Sequence, residues 1–343
     1  MPLVVDCHVH FVPSAVVSLL ADGVFPGMGV VEHDGRLRFR IPALPLSPPA
    51  PPAMSDPRAA QEWMDQAGVD RLLLAPWTDL LGYTLDRGAS SAWTEAYNRA
   101  LGEVAADDER FEALGSISLQ HPALAVEQLS SLRELGCCGA MIGTRAPNLE
   151  LDDSRLDEVW ATASELGLPL VVHPIFFAED LAPEHRLADY ALKNAVGRAN
   201  ETTLAISRLL YRGVMGAHPG LKLIVSHGGG SLPMLLPRLR RNREVFAPDA
   251  ADPEAEFRRL YLDSVVLDPG VLEQVVAIVG HEHVLLGSDY PFPWETAPRA
   301  VVEQSGLDRE EKDAILGLNA VELFGLRGDV FSRAGLDTSD RAL

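Results

Sequence analysis

The segment VVDCHVHFVP, residues 4–13, places His8 and His10 one residue apart behind a run of valine, with Asp6 beside them. Side chains at i and i+2 of a β-strand share a face, so both imidazoles are spaced to grip one ion while Cys7 and Val9 point the other way. Imidazole is the commonest metal ligand, but paired histidines without an ion are also common, so the remaining chain has to decide. It offers His173 in VVHP, His227 in VSHGGG and Asp289 in GSDYPFP. Three neutral imidazoles and one carboxylate suit a borderline divalent ion, zinc first and manganese second, with water in a remaining position. Such an open set is catalytic in character.

A two-metal version needs a bridging acid, commonly a carboxylated lysine or a glutamate at the end of the fourth strand. Here that strand ends MIGTR, and none of the three lysines (Lys193, Lys222, Lys312) lies near it. One ion is expected. His227 is then not required as a ligand and becomes the candidate for general acid–base work near neutral pH. The three glycines behind it allow a tight turn and close backbone approach to a ligand.

These residues need elements to hold them. Short apolar or β-branched runs occur at 3–9, 71–76, 113–119, 137–144, 168–174, 221–227, 260–266 and 284–290, alternating with amphipathic segments such as 57–67, 91–107, 198–217 and 231–244. Strand then helix, eight times over, predicts an α/β fold, the (β/α)8 TIM barrel. A doubly wound sheet would place a Gly-rich phosphate loop after the first strand, and HVHFVP is not one. In a barrel, functional groups gather at the C-terminal strand ends. His8, His10, His173, His227 and Asp289 all fall there. His33, His121, His218, His281 and His283 read as solvated or capping residues, whereas His185, in the loop leaving strand five, is placed to reach the mouth.

Residues 20–55 interrupt the alternation with Gly23, Gly27, Gly29 and the run IPALPLSPPAPPA, and read as an insertion or lid after strand one. The expected organisation is one domain over 1–327 and a loosely attached polar tail over 328–343. With 343 residues, 47% of them hydrophobic, one barrel-type core accounts for the chain. A net charge of −20 argues against nucleic acid and anionic membranes as partners. The three cysteines, Cys7, Cys137 and Cys138, form no disulfide framework. With no basic n-region leading into an apolar h-region and no long apolar stretch, a soluble, cytoplasmic protein is expected.

DCHVHF, VVHP, HGGG and LLGSDYPFP, in this order, resemble the amidohydrolase superfamily, in particular its metal-dependent decarboxylases typified by 2-amino-3-carboxymuconate-6-semialdehyde decarboxylase. WMDQAGVDRLLLAP, LGYTLD, ETTLAIS and HPGLKLIVSHGGG extend the likeness over about residues 3–325. The resemblance implies a barrel, a single divalent metal on His8, His10, His173 and Asp289, and a catalytic His227. It also implies an arginine from the insertion for the substrate carboxylate, Arg40 ahead of Arg38, and a second arginine near Arg238 reaching in from the other subunit of a homodimer. Where the family has a tryptophan after the strand-five His-Pro, this chain has HPIFFAEDLAPEHR, and its Pro-rich loop after Arg40 is longer. Both departures touch the pocket, not the metal. Trp77, Tyr83, Phe176, Phe177, Phe292 and Trp294 are placed to give an aromatic wall.

The expected activity is therefore non-oxidative decarboxylation of a small aromatic or muconate-type carboxylic acid, with Asp289 as both ligand and proton acceptor. Hydrolysis or hydration of a lactone, amide or dienoic acid is the alternative, and metal binding without turnover is a third.

Overall fold

A computed structural model describes residues 3–180, 186–294 and 297–326. Eight strands form one parallel sheet in sequential order: β1 Val5–Phe11, β2 Arg71–Pro76, β3 Phe111–Ser116, β4 Cys137–Gly143, β5 Leu170–His173, β6 Leu223–Val225, β7 Tyr261–Asp263 and β8 Val284–Leu285. Each overlaps one of the eight apolar runs, six lying wholly inside it, while β1 runs on to Phe11 and β3 begins earlier, at Phe111. The chain after β8 returns to β1, where Cys7 N–H donates to the Leu286 carbonyl (2.9 Å), Asp289 N–H to that of His8 (2.9 Å) and His10 N–H to that of Tyr290 (2.7 Å). The sheet thus curls into a nearly closed barrel. Strands buried on both faces need apolar residues at every position, which is why these runs are near-continuous and not alternating.

Two cores follow from the two faces. Val5, Cys7, Leu73, Leu114, Met141, Val171, Ile224 and Leu285 meet in one cluster with Leu323 and Phe324, while Val9, Phe11, Leu72, Leu74, Val172 and Val225 pack into a larger one with helix residues such as Leu101, Trp160 and Ile206. Cys7 and Val9 therefore do not share a face, contrary to simple alternation. The register of β1 on β2 runs Asp6↔Leu72 and then Val9↔Leu74, so three steps on β1 match two on β2. That β-bulge inserts one residue and reverses the alternation beyond it.

The insertion after β1 is built, not loose. Helix Ser14–Ala21 leads into an antiparallel hairpin, Gly29–His33 with Arg36–Arg40. The Pro-rich run lies back along it, with Ser47 N–H donating to the Phe39 carbonyl (2.9 Å) and Ala50 N–H to that of Leu37 (2.8 Å). Phe39 is buried and meets Trp77 with ring centroids 5.9 Å apart, whereas its neighbour Arg40 is exposed. The tail expected at 328–343, and His185, lie outside the described residues.

Candidate metal centre

Strand ends bring His8, His10, His173, His227 and Asp289 together. One ligand atom from each of His8, His173, His227 and Asp289 falls within 4.8 Å of all the others, and among the described residues this is the one such group. His10 stands beside them, its Nε2 3.1 Å from Asp289 Oδ1. Its ring centroid is 4.8 Å from that of His173.

Each of three imidazoles is tethered through Nδ1. His8 Nδ1 pairs with Asp263 Oδ2 at 2.6 Å, His10 Nδ1 with the Pro76 carbonyl at 3.2 Å, and His173 Nδ1 with the Pro174 carbonyl at 2.9 Å. A carbonyl or carboxylate at Nδ1 sets the tautomer with the hydrogen there and leaves Nε2 as a lone pair. His8 Nε2, His173 Nε2 and Asp289 Oδ1 are buried and have no hydrogen-bond partner. Buried polar atoms are seldom left so, and a divalent cation at their meeting point would satisfy all of them. The donor set fits such an ion.

His227 differs. Its Nε2 lies 3.7 Å from Asp289 Oδ2, its Nδ1 has no hydrogen-bond partner, and its side chain is 18% exposed against 1% for His8 and His10. On distance it belongs with the ligands. On tethering and access it does not.

The electrostatics follow from burial and pairing. Burial works against a charge on His8, but Asp263, followed by Asp289 and Asp6, outweighs it and holds the imidazole above its usual range. Burial pulls His10 down and, reinforced by the other imidazoles, takes His173 well below the ordinary histidine value. Burial opposes ionisation of Asp289, yet its close contacts with His10 and His227 keep it well below the usual carboxylate range. Asp6 has weaker compensation, and burial pushes it up to about 7.

Local backbone explains why these residues can stand there. His227 (φ 56°) and Asp289 (φ 61°) both adopt the left-handed conformation, which costs a non-glycine residue on the order of 1–3 kcal/mol. Gly228 continues that conformation at φ 60°, and its N–H donates to Asp263 Oδ1 at 2.9 Å. A Cβ there would come within 2.3 Å of Val266 Cγ1. Asp263 therefore holds both His8 and the turn bearing His227. Sequence alone did not single it out, although a lone aspartate inside the apolar run LYLDSVV, at the end of β7, was a signal that could have found it.

The end of β4 supplies no ligand: Thr144 and Arg145 both engage Glu201, at 3.0 Å each. For the two expected substrate arginines the structure shows exposed side chains. Arg40 is exposed at the end of the hairpin, and Arg238 is exposed on helix Leu232–Phe246. Of the anticipated aromatic wall, Trp77 and Phe292 lie between Phe39 and His10, with Phe292 5.7 Å from the His10 ring, while Trp294 is 44% exposed.

A family model described as Amidohydrolase matches residues 5–326. The 2-amino-3-carboxymuconate-6-semialdehyde decarboxylase of Dictyostelium discoideum is 29% identical over 94% of this chain and 92% of its own length. Among solved structures, 5-carboxyvanillate decarboxylase from Sphingomonas paucimobilis superposes with a TM-score of 0.79 at 23% identity, covering 95% of this chain and all (100%) of the other. A dihydroxybenzoic acid decarboxylase from a Polaromonas species, with bound manganese and an inhibitor, gives 0.73 at 20% identity, covering 96% and 99%. These structures share the barrel.

Proposed function

The chain belongs to the amidohydrolase family, and on that premise we propose that it is a metal-dependent carboxy-lyase, a non-oxidative decarboxylase of an aromatic or muconate-type carboxylic acid. The observation that carries this reading is the set of three imidazoles fixed through Nδ1, with Nε2 turned toward one carboxylate and an untethered fourth imidazole beside them. His8, His10, His173 and Asp289 would hold one divalent ion, with zinc the first choice. Manganese, bound in the Polaromonas relative, is the second. When bound, such an ion supplies a Lewis acid that stabilises negative charge on substrate oxygens.

The chain's own residues would do the rest. His227, with no carbonyl partner to fix its tautomer, delivers a proton to the ring carbon that bears the carboxylate. As that C–H bond forms, the bond to the carboxylate breaks, its electron pair restores the conjugation of the ring, and carbon dioxide leaves. Asp289, whose carboxylate lies 3.7 Å from His227 Nε2, faces the imidazole across the site. The relatives named above are decarboxylases, which favours this bond over an ester or amide.

For the substrate acid we propose Arg40 in cis and Arg238 from a second copy, in a homodimer. Arg238 shares a helix face with exposed Met234 and Val245, at spacings of four and seven residues, which supports its presentation to another chain. Arg40 has only its exposure in support.

The test is to incubate the metal-loaded protein with aromatic carboxylates and lactones and measure released carbon dioxide against ring opening. Carbon dioxide with one metal per chain is expected. Ring opening alone would favour a hydrolase, and two metals per chain would overturn the ligand assignment.

A further inference from the structure

Beside the metal cluster, the ends of β2 and β5 and the insertion enclose a cavity of about 320 Å³, lined largely by Leu44, Pro45, Ile175, Phe176 and Phe177. Arg198, at the start of helix Arg198–Arg212, is part of the same lining. Its Nη1 donates to the Pro174 carbonyl at 3.2 Å, the same oxygen that receives His173 Nδ1 at 2.9 Å. The guanidinium is thus one carbonyl away from a proposed metal ligand. Its Nε donates to Asn194 Oδ1 at 3.2 Å, and its carbon lies 5.4 Å over the Phe176 ring.

All of these partners are neutral. In a chain with 49 acidic and 29 basic residues most arginines of the barrel find a carboxylate, as Arg145 does with Glu201, Asp180 and Glu179. Among the described residues no carboxylate forms an ion pair with Arg198; Asp79, in the same lining, is near enough to feel its charge but does not reach it. A planar cation held by neutral groups at the edge of an apolar chamber suits an incoming carboxylate with an apolar body.

We propose that Arg198 shares the substrate carboxylate with Arg40 and Arg238 and that the cavity takes an apolar substituent, so that the chain prefers aromatic acids carrying an alkyl or aryl arm. This rests on the decarboxylase reading for its choice of aromatic acids, but it concerns binding. Calorimetric titration of the metal-loaded protein with 2-hydroxybenzoate, with its ring-alkylated homologues from methyl to butyl, and with the matching amides tests it. Affinity for the acids should rise by about fourfold per methylene until the cavity is full. The Arg198→Gln variant retains an N–H for the Pro174 carbonyl and removes the charge. It should lose roughly 10–100-fold for every acid and nothing for the amides, at unchanged metal content. Leu44→Trp, which fills the chamber without touching Arg198, should abolish the gain with chain length.

A flat chain-length series, or equal losses for acid and amide in Arg198→Gln, would overturn the proposal. Binding that follows the expected pattern without release of carbon dioxide would support it and count against the decarboxylase reading alone.

Discussion

At the scale of single residues, His227 and its proposed ligands separate by experiment. Asparagine tolerates the left-handed backbone that His227 occupies, so His227→Asn should fold and keep its metal. Turnover should fall by on the order of 10²–10⁴-fold, the range for a general acid–base group. Loss of metal from that variant would move His227 to the ligand set. His173→Ala should lose both metal and activity; full metal occupancy in it would refute the assignment. Asp263→Asn weakens the acceptor at His8 Nδ1 and should lower metal affinity by roughly 10–100-fold. The same carboxylate raises the affinity of His8 for a proton, which competes with the ion for Nε2. Metal occupancy should therefore fall as pH drops through the raised value of His8, while His173, held low, does not compete. In the metal-free protein the sign for stability is opposite. The His8 contribution is complete below its unfolded value of 6.5 and is lost as pH rises through the higher folded one, measurable as a falling Tm across that window.

At the scale of elements, the strand ends are joined by side chains as well as by the sheet. Tyr97, on helix Arg87–Asp107, donates from its hydroxyl to the Phe11 carbonyl at 2.9 Å and accepts from Trp77 N–H at 3.2 Å. It pins the end of β1, just past His10, to the end of β2. Tyr97→Phe leaves both buried groups unpaired and should cost about 1–3 kcal/mol in urea unfolding. The turn after β6 is more demanding. Gly228→Ala would have to move Val266 or the backbone around His227. Its turnover should drop more than its stability, because the turn that carries His227 is also held by Asp263. A variant with full turnover would show that this turn has room to relax.

For the whole molecule, the proposed homodimer makes a prediction that no single site does. Mixing His227→Asn with Arg238→Ala, each inactive or impaired alone, should restore part of the activity once subunits exchange, because some heterodimers then carry one intact site. A monomer by sedimentation, or no recovery despite exchange, would leave Arg238 a solvated helix residue. Among the described residues no helix is long and apolar enough to cross a membrane.

The eight apolar runs and their helical intervals determined the barrel from sequence alone, since burial on both faces of a parallel strand leaves a continuous signal in composition. They also placed His8, His10, His173, His227 and Asp289 at one end, because strand ends are legible once the runs are. Other features depended on partners far away in the chain. Cys7 and Val9 lie in different cores only because β1 bulges against β2, and a bulge is a matter of register between strands. Asp263 acquires its role by meeting His8, 255 residues away. Arg198 becomes distinctive through what surrounds it, neutral partners and an apolar chamber, and nothing in ETTLAIS or the residues before it announces that. Local pattern records which elements form, whereas long-range contact decides which side chains they confront.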